Sequence, residues 1–264
     1  MKIVYAIYHD WSKFQVAQLA KFGIKVEEGA DRFDIEAGDV YEKLKTLLDD
    51  WGVHESVGTI YDNKDIEQSD LLVYTGVWVN GHPQPEDIFG YLNLTYDLNN
   101  YCKACGIGAM QKEPFRIKKE PKWGEKKMFE LSWVFDEVFV RREIYDDLFK
   151  NRGIEFIPVL RFKDDAVIEN TVQLKLPVVN VPLKLDVQPS EECRTCGRIK
   201  YSPKVKGYFP SFKEQLPGSL HMFKSKEYFG YEAAADRRIF ISKEMYLELK
   251  KLKIRPSVWA VNKQ

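Results

Sequence analysis

The sequence CKACG at residues 102–106 is matched by CRTCG at residues 193–197, and these two stretches contain all 4 cysteines of the chain. Each Cys-x-x-Cys pair bends the backbone so that two thiolates converge, and the glycine that follows can take the positive φ that such a turn often needs. Two pairs supply the four sulfurs that Zn²⁺ prefers. We therefore predict one structural zinc ion, held in a zinc-ribbon-like site by Cys102, Cys105, Cys193 and Cys196.

The distance between the pairs along the chain is unusual, because residues 106 to 192 separate them. Paired zinc knuckles usually lie roughly 15 to 20 residues apart. Closing the longer loop costs only ~1.4 kcal/mol more by the loop-length relation. Structural zinc binding contributes roughly 10 to 16 kcal/mol in small peptides. A long folded insert is therefore compatible with a single zinc site.

Three other uses of the cysteines stay open. Redox-active pairs would need a preceding strand and a thiol at a helix N-terminus, which neither pair clearly has. Disulfides are disfavoured because residues 1–8 resemble a short strand and not a signal segment, so we expect a reduced, cytoplasmic protein. Two separate metal sites would need a histidine, and none of the 4 histidines lies at a ligand-like offset from a pair. These are His9, His54, His82 and His221.

The composition is that of an ordinary packed protein. Of the 264 residues, 44% are hydrophobic and 14% aromatic. The 40 basic and 40 acidic residues balance, so no overall field favours nucleic acid or an anionic membrane. No stretch approaches the apolar length of a membrane span, and we expect no membrane association.

A repeat follows the two cysteine pairs. Residues 138–148 (VFVRREIYDDL) match residues 239–249 (IFISKEMYLEL) without a gap. Each copy has the pattern of a strand followed by an amphipathic helix and a second strand. The helices are predicted over 141–150, ending at Gly153, and over 243–252, with Ser242 as N-cap.

Between the copies, residues 172–176 and 181–185 alternate apolar and polar side chains, which predicts exposed strands. The prolines beside them, Pro177, Pro182 and Pro189, favour sheet edges or linkers. The first hundred residues have a different pattern, which predicts strands and amphipathic helices. Strands are predicted over 1–8, 71–74 and 77–79, with a turn at Asn80–Gly81. One helix is predicted over 12–22, capped by Ser12 and Gln15. A second helix is predicted from Asp39 to about Trp51, with Asp39–Glu42 as capping box and with Val40, Leu44, Leu47 and Leu48 on its apolar face.

The predicted fold class is therefore α+β. We expect an N-terminal α+β subdomain over residues 1–98. Residues 99–264 are predicted to form a zinc-binding module with two strand-helix-strand repeats, joined by the four-cysteine site.

No catalytic constellation is evident in the sequence. A zinc deaminase would need a His-x-Glu motif, whereas His54 and Glu55 are adjacent, and four thiolates leave no metal-bound water. The glycines at 106 and 108 lack the rest of a dinucleotide fingerprint. We expect a non-enzymatic protein.

The arrangement resembles the bacterial double-CXXCG motif proteins, in which a long insert separates two such pairs and a strand-helix segment ends the chain. The resemblance rests on the two cysteine pairs with their glycines and on Ile239–Ser242 followed by a helix and Pro256. It implies a binding function, such as that of an immunity protein that neutralises a bacterial toxin, with zinc as a structural element. The alternative is a nucleic-acid-associated zinc protein, suggested by basic residues in 112–127 and 194–206.

Overall fold

The structure is a computed structural model that describes residues 1–203 and 206–263. It is a mixed α/β protein with about 21% helix and 37% strand. The chain divides into two compact units, the first of residues 1–68 with 206–209 and the second of residues 69–203 with 210–263. Within the described residues, no helix is long and apolar enough to cross a bilayer.

Short strands dominate the secondary structure. The strands are β1 (Lys2–Trp11), β2 (Gly29–Glu36), β3 (Glu55–Ile60), β4 (Leu71–Gly76), β5 (Tyr96–Asp97), β6 (Met110–Gln111), β7 (Arg116–Ile117), β8 (Met128–Leu131), β9 (Val134–Arg141), β10 (Glu155–Arg161), β11 (Val167–Lys175), β12 (Val178–Val179), β13 (Ser190–Glu192), β14 (Ile199–Tyr201), β15 (Met222–Phe229), β16 (Asp236–Ser242) and β17 (Ser257–Ala260). The helices are α1 (Lys13–Ala20), α2 (Asp39–Asp50), α3 (Asn63–Gln68), α4 (Tyr91–Thr95), α5 (Arg142–Ile144) and α6 (Lys243–Lys251).

The first unit is built on an antiparallel sheet of order β2-β1-β3. Its core joins Ile7 and Trp11 of β1 to Leu19 of α1 and to Leu44 and Leu48 of α2. These apolar side chains recur at helical spacing, so one stripe of each helix faces the sheet.

Local signals placed α1 and α2 of this unit correctly, whereas α3 was not predicted. The capping box of α1 is confirmed, since the Ser12 hydroxyl accepts from the Gln15 backbone and the Gln15 side chain accepts from Ser12 N–H. At α2 the start at Asp39 is correct, but the predicted capping box is wrong because Gly38 is the N-cap and makes no side-chain cap bond. Val40 is exposed, and Tyr41 occupies the buried face in its place.

The second unit contains two larger sheets. One has the order β7-β10-β11-β9-β8, and the other has β13-β14-β15-β16-β4-β17, with β12 pairing β15. Strand β4 pairs antiparallel with both β16 and β17, which draws the residues after 68 into this unit. The units therefore divide at residues 68 and 69, whereas the sequence analysis placed a boundary at 98.

The two repeat copies have the same local strand order. The first gives β8-β9-β11-β10 and the second gives β15-β16-β4-β17, so in each copy one inserted strand separates the hairpin from the strand after the helix. Matching phenylalanines stack across each hairpin, Phe129 on Phe139 at 5.1 Å and Phe223 on Phe240 at 5.6 Å between ring centroids. Common ancestry of the copies stays a prediction.

Helix α6 follows the prediction, since it covers Lys243–Lys251 and the Ser242 hydroxyl accepts from Met245 N–H. In the first copy the helix is irregular: α5 passes into a π-helical turn at Tyr145–Phe149 and a 3₁₀ turn at Lys150–Arg152. Gly153 ends it with φ +71°, as expected.

Two strand predictions are wrong, and a third strand is present but is buried instead of exposed. Residues 172–176 were predicted as an exposed strand, but β11 lies between β10 and β9 and buries Val172, Gln173 and Leu174. Residues 77–79 and 181–185 contribute only isolated bridges, at Val79 and Leu183. Nor do Asn80 and Gly81 form a turn.

Candidate metal centre

The two cysteine pairs adopt the same backbone geometry. In each, the glycine N–H donates to the carbonyl of the first cysteine at 2.8 Å, from Gly106 to Cys102 and from Gly197 to Cys193. The first cysteine's own N–H donates at 2.9 Å to the carbonyl five residues on. The glycines have φ of +80° and +71°, a left-handed conformation that an L side chain disfavours. The sequence therefore folds into two equivalent knuckles.

The knuckles meet, so that all four sulfurs lie within 4.8 Å of one another. Cys102 Sγ lies 3.8 Å from Cys193 Sγ, and Cys105 Sγ lies 3.7 Å from Cys196 Sγ. A tetrahedral ion with metal–sulfur bonds of ~2.3 Å would set adjacent sulfurs about 3.8 Å apart. None of the four cysteines is in a disulfide. The four predicted site residues can thus hold one metal ion.

The environments of the thiols differ. Backbone N–H groups of Thr195 and Cys196 point at Cys193 Sγ and lower its pKa to about 6. The N–H groups of Cys105 and Ala104 likewise lower the pKa of Cys102. Burial raises the pKa of Cys105 to about 12. N–H groups directed at sulfur stabilise thiolate, the form that binds metal.

Two basic side chains from the second knuckle connect it to the first. Arg198 Nη1 donates to the carbonyls of Asn100 at 2.6 Å and Ile107 at 2.9 Å. Lys200, which is only 4% exposed, donates to the carbonyl of Cys105 at 3.2 Å and also to that of Glu232. Charge-assisted bonds to buried carbonyls are stronger than neutral ones. Arg198 and Lys200 therefore form a clasp between the knuckles.

Glycines let the backbones of the centre approach closely. A Cβ at Gly106 would stand 2.2 Å from the carbonyl oxygen of Ala233, and one at Gly108 would stand 2.0 Å from that of Asn100. A Cβ at Gly197 would meet nothing nearer than 3.8 Å. The first knuckle is thus packed against its neighbours, whereas the second is open.

The sequence alone did not reveal this clasp. Its bonds join residues about ninety apart, and only the matching knuckle sequences hinted that these segments meet. None of the described histidines belongs to the cluster, which favours one shared site over two separate sites.

The basic segment 112–127, which suggested nucleic-acid binding, is partly buried. Phe115 and Trp123 lie in the core, and Arg116 is buried and paired with Asp165 at 2.6 Å. Lys126 lies over the Trp78 ring, 4.2 Å from its centroid. The two aromatic residues and Arg116 are thus part of the fold of the second unit, whereas most lysines of the segment are exposed.

The donor set defines what the centre can do. An ion bound by all four sulfurs has a complete tetrahedral shell, with no position for water or substrate. Such an ion stabilises structure and does not activate a nucleophile. Comparison of the chain with protein-family models, with curated proteins and with solved structures found no match.

Proposed function

We propose that this chain is a non-enzymatic binding protein whose second unit is held together by one structural zinc ion. Its partner is a protein, in the best-supported case a bacterial toxin that it neutralises by direct binding. The observation that carries the proposal is the convergence of four cysteine sulfurs at spacings of 3.7 and 3.8 Å across two knuckles.

Zinc is favoured by the chemistry of the donors. Four thiolates at tetrahedral spacing select zinc or iron among the common metals. The knuckles belong to segments about ninety residues apart, so the bound ion would stabilise their contact directly. Metal analysis and the absorption spectrum distinguish the two metals, since iron bound by four thiolates is coloured and zinc is not.

The toxin-neutralising role is supported by the resemblance to double-CXXCG proteins, carried by the two cysteine pairs and the strand-helix segment after Ile239. The complete sulfur shell supports a structural role for the metal, which agrees with binding instead of catalysis. The balanced overall charge gives no general attraction to polyanions.

Nucleic-acid binding is the weaker candidate. Three of the basic residues that suggested it are engaged, since Arg198 and Lys200 bind carbonyls and Arg116 pairs with Asp165. Electrophoretic mobility shift at low salt tests it directly, since phosphate contacts strengthen as salt falls.

The function is tested by expressing the chain together with each candidate toxin that its gene neighbourhood encodes. We expect cell survival and a complex that co-elutes in size-exclusion chromatography. Cys196→Ser removes a sulfur ligand, and Ser190→Ala is its control because it changes a side chain without removing a sulfur. A loss of protection in the first variant alone would therefore be due to the metal site. Cell death despite full expression, with no complex, would refute the toxin-neutralising role while leaving the zinc centre to metal analysis.

A further inference from the structure

A cavity of about 750 Å³ lies in the second unit beside the first cysteine knuckle. Residues from three segments line most of it, 106–111, 133–137 and 231–237. Its size falls within the range of about 300 to 1,000 Å³ that is typical of small-molecule sites. Gly106 belongs both to the knuckle and to the cavity wall, so the metal centre fixes part of the cavity's shape.

Exposed apolar side chains surround the cavity mouth. Phe89, Met110, Trp133, Phe135 and Tyr231 are all exposed large side chains, and all line the cavity. Trp133 stacks on Tyr91, 6.1 Å between ring centroids, and contacts Phe89 at 4.7 Å. A concentration of exposed aromatic side chains on one concave surface marks a binding site more often than a structural need.

The backbone at this mouth is strained. Ile88, Phe89 and Trp133 have φ of 50°, 53° and 68°. Bulky L residues are rare in this left-handed region, where each costs on the order of 1–3 kcal/mol. Phe89 and Trp133 thus line the cavity from a backbone conformation that bulky residues disfavour.

The polar lining is acidic overall. The charged lining residues are Asp136, Glu137, Lys224, Glu232, Asp236 and Arg237, four acidic and two basic. Lys224 is already engaged, with its Nζ 2.5 Å from Glu137 and 3.8 Å from Asp136. The Arg237 guanidinium donates to the carbonyls of Ser225 and Lys226 and to the Tyr228 hydroxyl.

Of the lining carboxylates that are not exposed, Asp236 has no such partner among the described residues. Within residues 1–203 and 206–263, its carboxylate accepts none of the hydrogen bonds that the structure shows. Burial raises its pKa to about 7, repulsion from Asp136 adds to the rise, and attraction to Arg238 only partly offsets it. The Arg238 guanidinium lies over the rings of Phe229 and Trp259, at 5.0 and 5.5 Å.

We propose that this cavity binds an organic cation, an ammonium or guanidinium group carried on an apolar body. The cation pairs with Asp236 and is attracted by Asp136, while the body packs against Trp133, Phe89 and Tyr91. Aromatic faces attract cations, and a carboxylate of low solvent exposure gains a charge-assisted hydrogen bond from one. The site goes beyond the proposed toxin binding and does not depend on it.

Other ligand classes fit the lining less well. An anion would meet an excess of carboxylates, with Lys224 and Arg237 already engaged. A neutral apolar ligand would bury Asp236 further and leave it without a hydrogen-bond donor, which is unfavourable. Two kinds of molecule could supply the cationic group: a free amine, or a polypeptide through an arginine side chain.

The test uses isothermal titration calorimetry on the full metal-loaded chain. The probes are phenethylammonium, with phenylethanol and phenylpropionate as neutral and anionic counterparts, and N-acetyl-phenylalanyl-arginine amide, with its citrulline analogue as neutral control. We expect binding of at least one cationic probe and roughly 10- to 100-fold weaker binding of its neutral counterpart, as for loss of one charged hydrogen bond. Backbone amide shifts should locate the probe at residues 233–236.

The variant Asp236→Asn should weaken cation binding by the same factor. Asp186→Asn is the matched control, because Asp186 is 79% exposed, pairs with Lys213 and does not line the cavity. Binding of the amine alone indicates a free small molecule, and binding of the peptide alone indicates a polypeptide source; both support the site. Equal binding of charged and neutral probes, no binding of any probe, or unchanged affinity in folded Asp236→Asn would overturn it.

Discussion

The variants Gly106→Ala and Gly197→Ala share the same backbone strain and differ in whether the new methyl group collides with a neighbour. Both glycines follow a cysteine pair and have positive φ, +80° and +71°. A left-handed L residue costs roughly 1–2 kcal/mol at either position. Only at Gly106 does the new methyl group collide, since it would stand 2.2 Å from the Ala233 carbonyl oxygen.

The collision sets the size of the expected difference. The methyl and the oxygen must separate by about 1 Å to reach ordinary contact, and the oxygen belongs to backbone that cannot rotate away; overpacking of this kind costs about 1–3 kcal/mol. Gly106→Ala should therefore lose about 2–5 kcal/mol of unfolding free energy, and Gly197→Ala about 1–2 kcal/mol.

Urea unfolding of the metal-loaded variants measures the difference. Hydrogen exchange followed by mass spectrometry should show lost protection in β15 and β16 of the second unit for Gly106→Ala. Chelator competition with a chromogenic reagent should show faster metal release from the same variant. Equal unfolding free energies, or a larger loss in Gly197→Ala, would refute the close packing of the first knuckle.

Three further outcomes are expected. Lys224→Met should lower the unfolding free energy, measured in urea, by about 3–5 kcal/mol, because it leaves a buried carboxylate without its cationic partner. Lys175→Met removes the lysine of an exposed pair of similar length and should lower it by less than about 1 kcal/mol. Equal losses would contradict the burial of the Lys224 pair. Relative to Asp236→Asn, the native chain should lose unfolding free energy as pH rises from about 4 to about 7, because Asp236 stays protonated in that range only when folded; the comparison cancels the pH dependence of metal binding, and a difference that does not change with pH would count against the raised pKa. Cys105→Ser should release the metal and reduce exchange protection in the second unit while residues 1–68 keep theirs, and uniform loss would argue against separable units.

Features encoded locally were predictable from the sequence. The turn within each cysteine knuckle, the Ser12 and Ser242 caps and the helix end at Gly153 depend on a few adjacent residues, and the structure has each of them. The matching residues 138–148 and 239–249 recur without a gap in the sequence, and a duplicated unit stays a prediction.

Features that depend on distant partners were not predictable. Gln173 made β11 look exposed, but its amide is buried and donates to Glu137 at 3.0 Å. Alternation of polar and apolar residues shows that one face of a strand is polar, but not that this face is exposed to solvent. Here another polar side chain covers the polar face of β11. Asp136 and Asp236 line one cavity although they are far apart in sequence, and a single sequence gives no sign of such a meeting.

The proposal of a structural zinc ion is tested most directly by metal analysis of the freshly purified chain with X-ray absorption at the metal edge. One zinc per chain, surrounded by four sulfurs at about 2.3 Å, is the expected result. A folded, metal-free protein, or a metal bound by fewer than four sulfurs with oxygen or nitrogen ligands in their place, would contradict it.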